Sequence, residues 1–193
     1  MLKYLKILLT LFFTIILLLG FALPLNPVGN WYQQFLPNLG GAQITDITFL
    51  DSLTGYAVTG LRTANDSAYI LKTTNSGDSW NVEFMHNRAF VRVQFINANT
   101  GFTNAFTRIY KTTDAGSNWT PINLPGIFGD DMFVLNQDTI WLAMSESSSG
   151  GVFRTTNGGS SWQPQLNIGS LNPEKIYMFN ARIGFISKDM GSS

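Results

Sequence analysis

One short motif occurs three times in the chain, as Thr73-x-Asn75-x-Gly77-x-x-Trp80, Thr112-x-Asp114-x-Gly116-x-x-Trp119 and Thr155-x-Asn157-x-Gly159-x-x-Trp162, at spacings of 39 and 43 residues. Self-similarity at a period near 40 marks an array of supersecondary units, each burying its faces against its neighbours. Each motif follows a β-rich entry: Ile70-Leu71-Lys72, Ile109-Tyr110-Lys111 and Val152-Phe153-Arg154. A second element repeats out of phase with the first. Ile47-Thr48-Phe49 precedes Gly55-Tyr56, Val93-Gln94-Phe95 precedes Gly101-Phe102, and Ile176-Tyr177-Met178 precedes Gly184-Phe185. A degraded copy, Met132-Phe133-Val134 followed by Ile140-Trp141, has lost its Gly-aromatic step.

Each unit therefore reads as strand, turn, strand, turn, strand, motif turn, strand. β-Branched and aromatic residues bounded by Gly, Asn, Asp and Ser clusters supply the strand signal. No window outside the N-terminal segment has helical periodicity. Four strands per unit, repeated radially, predict an all-β β-propeller of about three complete blades plus partial ones. Every motif position has a folding role. The Asp or Asn oxygen can accept backbone N–H groups two or three residues on. The glycine supplies positive φ, the threonine hydroxyl ties the incoming strand to the turn, and the tryptophan fills the gap between sheets.

The motif resembles the Asp-box, or bacterial neuraminidase repeat, of β-propeller proteins. The longer unit from Phe49 to Trp80 is most similar to propellers of the photosystem II assembly and stability factor type, whose repeats also occur in large secreted bacterial proteins. The resemblance covers Trp31 to Ser193 and implies that the box is the turn between the third and fourth strands of a blade, remote from active sites. Asparagine stands for aspartate in the first and third boxes. Ser187-x-Asp189-x-Gly191 matches a fourth, partial box that stops where its tryptophan should come. Asn30-Trp31-Tyr32-Gln33-Gln34-Phe35 resembles the strand after each box. It would either complete the last blade as a clasp or belong to a ring cut short; truncation at the C-terminus is the expectation.

Lys3 and Lys6 precede an apolar run from Ile7 to Ala22, with small residues at Gly20 and Ala22. Such a run spans about 24 Å as a helix, short of a hydrocarbon core of roughly 30 Å. It reads as a helical signal peptide over residues 1–22, with 23–30 as a spacer carrying Pro24 and Pro27, and residues 31–193 as the exported propeller. The alternative is an uncleaved signal anchor. Both place the domain in a secreted, periplasmic or cell-surface location.

Composition narrows the function. Without Lys3 and Lys6, ten basic side chains face twelve acidic ones, which leaves no basic footprint for nucleic acid. The absence of cysteine excludes disulfides, thiolate metal sites, thiol nucleophiles and a lipidated N-terminal cysteine. A single histidine, His86, excludes any site that needs two imidazoles. His86 is expected in a solvated connection after the first unit's fourth strand. Asp130-Asp131 is expected in a loop entering a strand, with a carboxylate pair or cation ligand as the competing reading. Arg88, Arg92 and Arg108 are expected on blade surfaces, with a patch for an acidic partner as the competing reading. Ser147-Ser148-Ser149-Gly150-Gly151 reads as a hairpin tip. Asn65-Asp66-Ser67 and Asn118-Trp119-Thr120 match glycosylation sequons.

No catalytic, cofactor or metal residues are assigned. The expected function is a non-catalytic exported propeller that binds a protein or a surface polymer as an assembly scaffold, its membrane contact limited to an uncleaved N-terminal segment. The alternative is part of an Asp-box glycoside hydrolase, sialidase- or xyloglucanase-like. That enzyme would need two facing carboxylates roughly 5–9 Å apart. Candidates outside the boxes are Asp46, Asp51, Asp66, Glu83, Asp130, Asp131, Asp138, Glu146 and Glu174. A surface-layer or adhesin segment is the third reading.

Overall fold

The computed structural model describes residues 33–63, 66–126, 129–145, 150–169 and 173–188. Residues from Gln34 onward form one compact unit; of the other, Met1–Gln33, only the exposed Gln33 is described. The expected signal segment and spacer, Trp31 and most of the serine-rich hairpin tip lie outside the described residues. So do Asn65, Glu146, Asp189 and Gly191.

All described elements are strands. Blade 1 comprises β1 (Ile44–Phe49), β2 (Gly55–Thr59), β3 (Ala68–Thr73) and β4 (Asn81–His86). Blade 2 comprises β5 (Arg92–Phe95), β6 (Gly101–Ala105), β7 (Arg108–Thr112) and β8 (Thr120–Asn123). Blade 3 comprises β9 (Gly129–Val134), β10 (Ile140–Met144), β11 (Gly150–Thr155) and β12 (Gln163–Gly169). A hairpin follows, β13 (Pro173–Met178) and β14 (Gly184–Lys188). Each blade is an antiparallel meander in chain order. The first strands lie beside one another, β1 against β5, β5 against β9 and β9 against β13, which is the succession of inner strands in a β-propeller. Each box falls between the third and fourth strand of its blade.

Burial follows from this stacking. The second strands β2, β6 and β10 are buried along their whole length, because neighbouring sheets cover both faces of β6 and β10, and the next blade and the Leu39–Ala42 segment cover those of β2. Their sequences are therefore apolar or carry polar groups with internal partners. Within β6, Thr103 Oγ1 donates to Arg92 O at 2.7 Å and Asn104 Nδ2 to Gly129 O at 3.0 Å. Fourth strands form the outer rim and are mostly exposed. The cores lie between blades: Tyr56, Val58 and Ile70 meet Val93 and Trp119; Phe102 and Ile109 meet Met132 and Leu142; Trp141 and Val152 meet Ile176.

Register explains the lost glycine of the third unit. Gly55 pairs with Phe49 and Gly101 with Phe95, and a Cβ on either glycine would stand 2.7 or 2.5 Å from the partner's ring. Ile140 instead pairs with Val134, whose smaller side chain leaves room for a full residue. The Gly-aromatic step is one half of a large–small exchange across the first two strands.

Candidate functional site

The three boxes adopt one hydrogen-bonded design. In the first, Thr73 Oγ1 accepts from the Gly77 N–H at 2.9 Å and donates to Asn75 Oδ1 at 2.9 Å. Asn75 Oδ1 also accepts from the Ser79 N–H at 3.0 Å. The second and third boxes repeat this set, with Thr112 to Gly116, Asp114 to the Asn118 N–H, Thr155 to Gly159 and Asn157 to the Ser161 N–H. The Asx oxygen thus reaches four residues on rather than the expected two or three. The shorter step is made by backbone, Asp78 N–H to Asn75 O, because the turn is already closed there.

The asparagine-for-aspartate departures are compensated locally. Asn75 Nδ2 and Asn157 Nδ2 donate to Ser79 Oγ and Ser161 Oγ at 2.9 and 2.8 Å. Where the box has aspartate, Asp114 Oδ2 accepts from Asn118 Nδ2 at 2.7 Å. Donors and acceptors are exchanged together. The Asn118 amide and backbone N–H, with the Thr112 hydroxyl, hold the Asp114 carboxyl below the usual aspartate range.

The box glycines do more than tolerate positive φ. Gly77, Gly116 and Gly159 have φ of 88–90°, and a Cβ on them would meet Gln34 at 2.2 Å, Tyr56 at 3.1 Å and Ile122 at 2.1 Å. Tyr56 belongs to blade 1 and Ile122 to blade 2, each the blade preceding the box it touches. The carbonyl one residue before the glycine is also claimed from that side. Tyr56 Oη and Lys72 Nζ both donate to Ala115 O at 2.8 Å, and Gln34 Nε2 donates to Ser76 O at 2.9 Å. Burial raises the Tyr56 phenol above its ordinary pKa, which keeps it protonated as that donor. The tryptophans face the same way. Trp162 Nε1 donates to Asn123 O of blade 2 at 3.0 Å, and Trp80 Nε1 to Gln34 Oε1 at 3.4 Å. Trp119 is buried against blade 1, its Nε1 without a partner among the described residues.

Inner strands carry a second contact between blades. Arg92 Nη1 on β5 bonds both oxygens of Asp131 on β9, at 3.0 and 2.8 Å, and Asp131 Oδ2 accepts the Ile176 N–H of β13 at 2.9 Å. Asp46 on β1 accepts the Val93 N–H of β5 at 2.9 Å, in the same register position as Asp131.

Several expected placements change. Asp130 and Asp131 lie within β9, not in a loop, because Gly129 already pairs with Met144. Asp131 is fully buried as the Arg92 partner, so Arg92 is no free surface arginine; Arg88, in the bend after β4, is exposed, and Arg108 at the start of β7 donates to Asn123 Oδ1 at 2.8 Å. Burial pushes the Asp130 carboxyl above its usual range. His86 is the last residue of β4, half-buried among Phe84, Phe90 and Tyr110 rather than solvated. Its Nδ1 accepts the Arg88 N–H at 3.0 Å, which leaves Nε2 to carry the proton towards Tyr110 Oη at 2.9 Å. β4 runs on to His86 because that residue pairs with Ala68 of β3, and Tyr110 of blade 2 then packs against its ring. Ser187 lies in β14, a second strand, opposite Lys175.

Among the candidate carboxylates, Asp46 and Asp131 serve the blade contacts above. Asp51 accepts the Leu53 and Thr54 N–H groups at 2.7 Å, and Asp66 accepts that of Thr63 at 2.7 Å. Among the described residues, no group of three or more His, Asp and Glu side chains is placed to hold a metal ion. No described helix is long and apolar enough to cross a membrane.

Comparisons with known proteins follow the same lines. The family model described as "Photosynthesis system II assembly factor YCF48" matches residues 25–176. A solved structure of YCF48 bound to D1 peptide is similar at 25% identity and a TM-score of 0.58, over 74% of this chain and 46% of that one. YCF48 from Cyanidioschyzon merolae is similar at 25% identity and a TM-score of 0.55, over 70% of this chain and 40% of that one. The chain thus spans less than half the length of these two structures. A GH74 enzyme from Niastella koreensis shares the fold at 18% identity and a TM-score of 0.54, over 70% of this chain and 24% of the enzyme. No curated protein matches the sequence.

Proposed function

Because the chain belongs to the photosynthesis system II assembly factor YCF48 family, we propose that it is a non-catalytic β-propeller scaffold that binds a protein partner during assembly of a larger complex. One observation carries this reading: the box side chains and several of the candidate charged residues are committed to internal bonds. Box threonines and Asx residues close their own turns, Arg92 and Asp131 join blades, and Asp51 and Asp66 cap loops. Recognition then falls to the loops and rims that the rigid strands display. A peptide segment is the natural partner, since a YCF48 structure has been solved bound to D1 peptide. A surface polymer is the alternative ligand.

The N-terminal basic-then-apolar segment supports export of the scaffold. N-terminal sequencing of the protein from cell fractions tests this: a mature start after Ala22 outside the cytoplasm is expected, and a cytoplasmic chain retaining Met1 would refute export. For function, capture with the full chain should yield a protein that, once purified, binds it saturably, while a glycan panel stays intact. Glycan hydrolysis by the purified chain, with no partner bound, would move the assignment to a glycoside hydrolase like the GH74 neighbour.

A further inference from the structure

The chain's single histidine stands where blade 1 hands over to blade 2, and its ring takes part in the hydrogen bonding of that connection. His86 ends β4 opposite Ala68, and the chain then crosses to β5 through residues 87–91. Part of the crossing is held by groups that do not titrate. Phe90 N–H donates to Thr59 O at 3.0 Å, Val91 N–H to Asn104 O at 2.9 Å, and Thr45 Oγ1 to Phe90 O at 2.9 Å. The Arg88 N–H instead donates to His86 Nδ1 at 3.0 Å. Of these acceptors, only the imidazole nitrogen is a base that mild acid fills with a proton.

The ring is fixed with Nδ1 as the acceptor. Nε2 carries its proton towards Tyr110 Oη at 2.9 Å, and Phe84, Phe90 and Tyr110 surround the imidazole with centroids 5.2–6.5 Å away. Phe90 is fully buried, so the ring is walled by a core residue. Arg88 presents both of its backbone polar groups to the same nitrogen, since its carbonyl oxygen lies 3.4 Å from Nδ1. A neutral ring takes the N–H. A protonated ring, with both nitrogens as donors, repels that N–H and bonds only the oxygen.

The charged side chains around the ring supply no counter-ion for that proton. Arg88 lies on the connection itself, and Arg108 lies on the face of β7 that carries Tyr110. Arg92, at the start of β5, is held by Asp131. Glu83 is exposed three residues back along β4, and Asp66, before β3, is turned onto the Thr63 N–H. Proton uptake therefore adds positive charge to a connection that already carries an arginine and faces another. Arg108 is tied to Asn123, whereas Arg88 is exposed and has room to move.

We propose that His86 is a pH-operated latch on the connection between blades 1 and 2. With the ring neutral, Nδ1 holds the Arg88 N–H and the connection is closed onto the aromatic cluster. A proton taken from solvent onto Nδ1 ends that bond, brings Arg88 O to the new Nδ1–H, and shifts the Arg88 backbone together with its guanidinium. The bonds of Phe90, Val91 and Thr45 stay. Acid thus changes how one cation is presented at a blade seam without unfolding either blade. The device goes beyond the scaffold reading above, since it operates whatever partner the scaffold serves.

The test uses the full chain, in which one imidazole gives one set of ring signals. Proton–nitrogen NMR between about pH 8 and pH 5 spans the range in which an imidazole titrates. The Nε2–H tautomer is expected at the alkaline end, and the Arg88 amide should shift with the same midpoint as the ring. Protection of that amide, corrected for the pH dependence of intrinsic exchange, should fall by about five- to tenfold across the midpoint, the fold-change of one lost hydrogen bond. The Phe90 and Val91 amides should keep their protection. His86→Phe retains a ring in the cluster but no acceptor, so its Arg88 amide should hold the acid-state position at every pH. Tyr110→Phe removes the group that holds the Nε2 proton, and should mix the two tautomers and lower Arg88 protection at neutral pH. An Nδ1–H tautomer at the alkaline end would overturn the proposal, as would a ring that stays neutral throughout. An Arg88 amide that ignores the ring's titration, or that still titrates in His86→Phe, would do the same. Equal loss of protection at Arg88, Phe90 and Val91 would also overturn it, because acid would then be loosening the whole seam rather than one latch.

Discussion

Replacing Arg92 by methionine should cost far more than an ordinary surface substitution. The Asp131 carboxylate is fully buried, and Arg92, itself 25% exposed, is its charge partner through contacts of 3.0 and 2.8 Å. Removing one member of a buried ion pair typically costs about 3–5 kcal/mol, because the remaining charge is left without compensation. The partial exposure of Arg92 lets water share some of that charge, which argues for the lower end, about 3 kcal/mol. In a domain of this size that corresponds to a fall in Tm of roughly 6–12 °C. Calorimetric or circular dichroism melts of the Arg92→Met variant check the magnitude, and hydrogen exchange at the Ile176 amide checks the place, since that N–H shares the same carboxylate at 2.9 Å. Because blades touch only their neighbours, protection should fall first around β5, β9 and β13. In an Asp131→Leu background the same Arg92→Met change should cost less than about 1 kcal/mol, since no buried charge remains. A loss below about 1 kcal/mol in the parent, or an equal loss in both backgrounds, would refute the clamp.

Further outcomes follow from the box and register geometry. Gly159→Ala should destabilise by about 2–4 kcal/mol, combining left-handed strain with overpacking on Ile122, whereas Gly169→Ala, at φ 65° with no atom within 4 Å of its Cβ, should cost only about 1–2 kcal/mol; equal shifts in thermal midpoint would refute the close blade approach. Gly101→Ala should cost about 1–3 kcal/mol through contact with the Phe95 ring, and Phe95→Val in the same chain should recover part of it, reproducing the Val134–Ile140 pair; absence of recovery in denaturant titrations would count against the exchange. The Asp114 carboxyl, held low mainly by the Asn118 amide, contributes stability that is complete above the unfolded-state pKa of about 4 and is lost as pH falls through its lower folded value. Melting curves between pH 7 and 3 should therefore show a smaller acid loss in Asp114→Asn than in the parent, and an identical acid limb would exclude the assignment. Asp51, lowered by the Thr54 and Leu53 N–H groups, should behave with the same sign in Asp51→Asn.

The repeats made the blade legible before any coordinate. Thr-x-Asx-x-Gly and the six-residue step from Phe49 to Gly55 are local patterns, and local hydrogen bonding and strand pairing obey them wherever they occur. Even the degraded unit at Met132–Val134 was recognisable, because strand propensity survives the loss of one glycine. What local pattern could not convey is what lies across a blade boundary. Arg92 and Asp131 are 39 residues apart, His86 and Tyr110 are 24 apart, and neither pair shares a strand, turn or motif.

The alphabet of strands and turns was thus written in the sequence alone, since the Thr and Asx side chains of each box bond within their own turn. The tertiary structure decided which side chains meet. Radial stacking at close range turned a surface-like arginine into the partner of a buried aspartate, a lone histidine into part of an aromatic cluster, and permissive glycines into points of contact between blades. The physical reason is that residues outside the blade supply the second wall of each core, the next blade's strands in three of them and the Leu39–Ala42 segment before β1 in the fourth, and no single unit contains that wall.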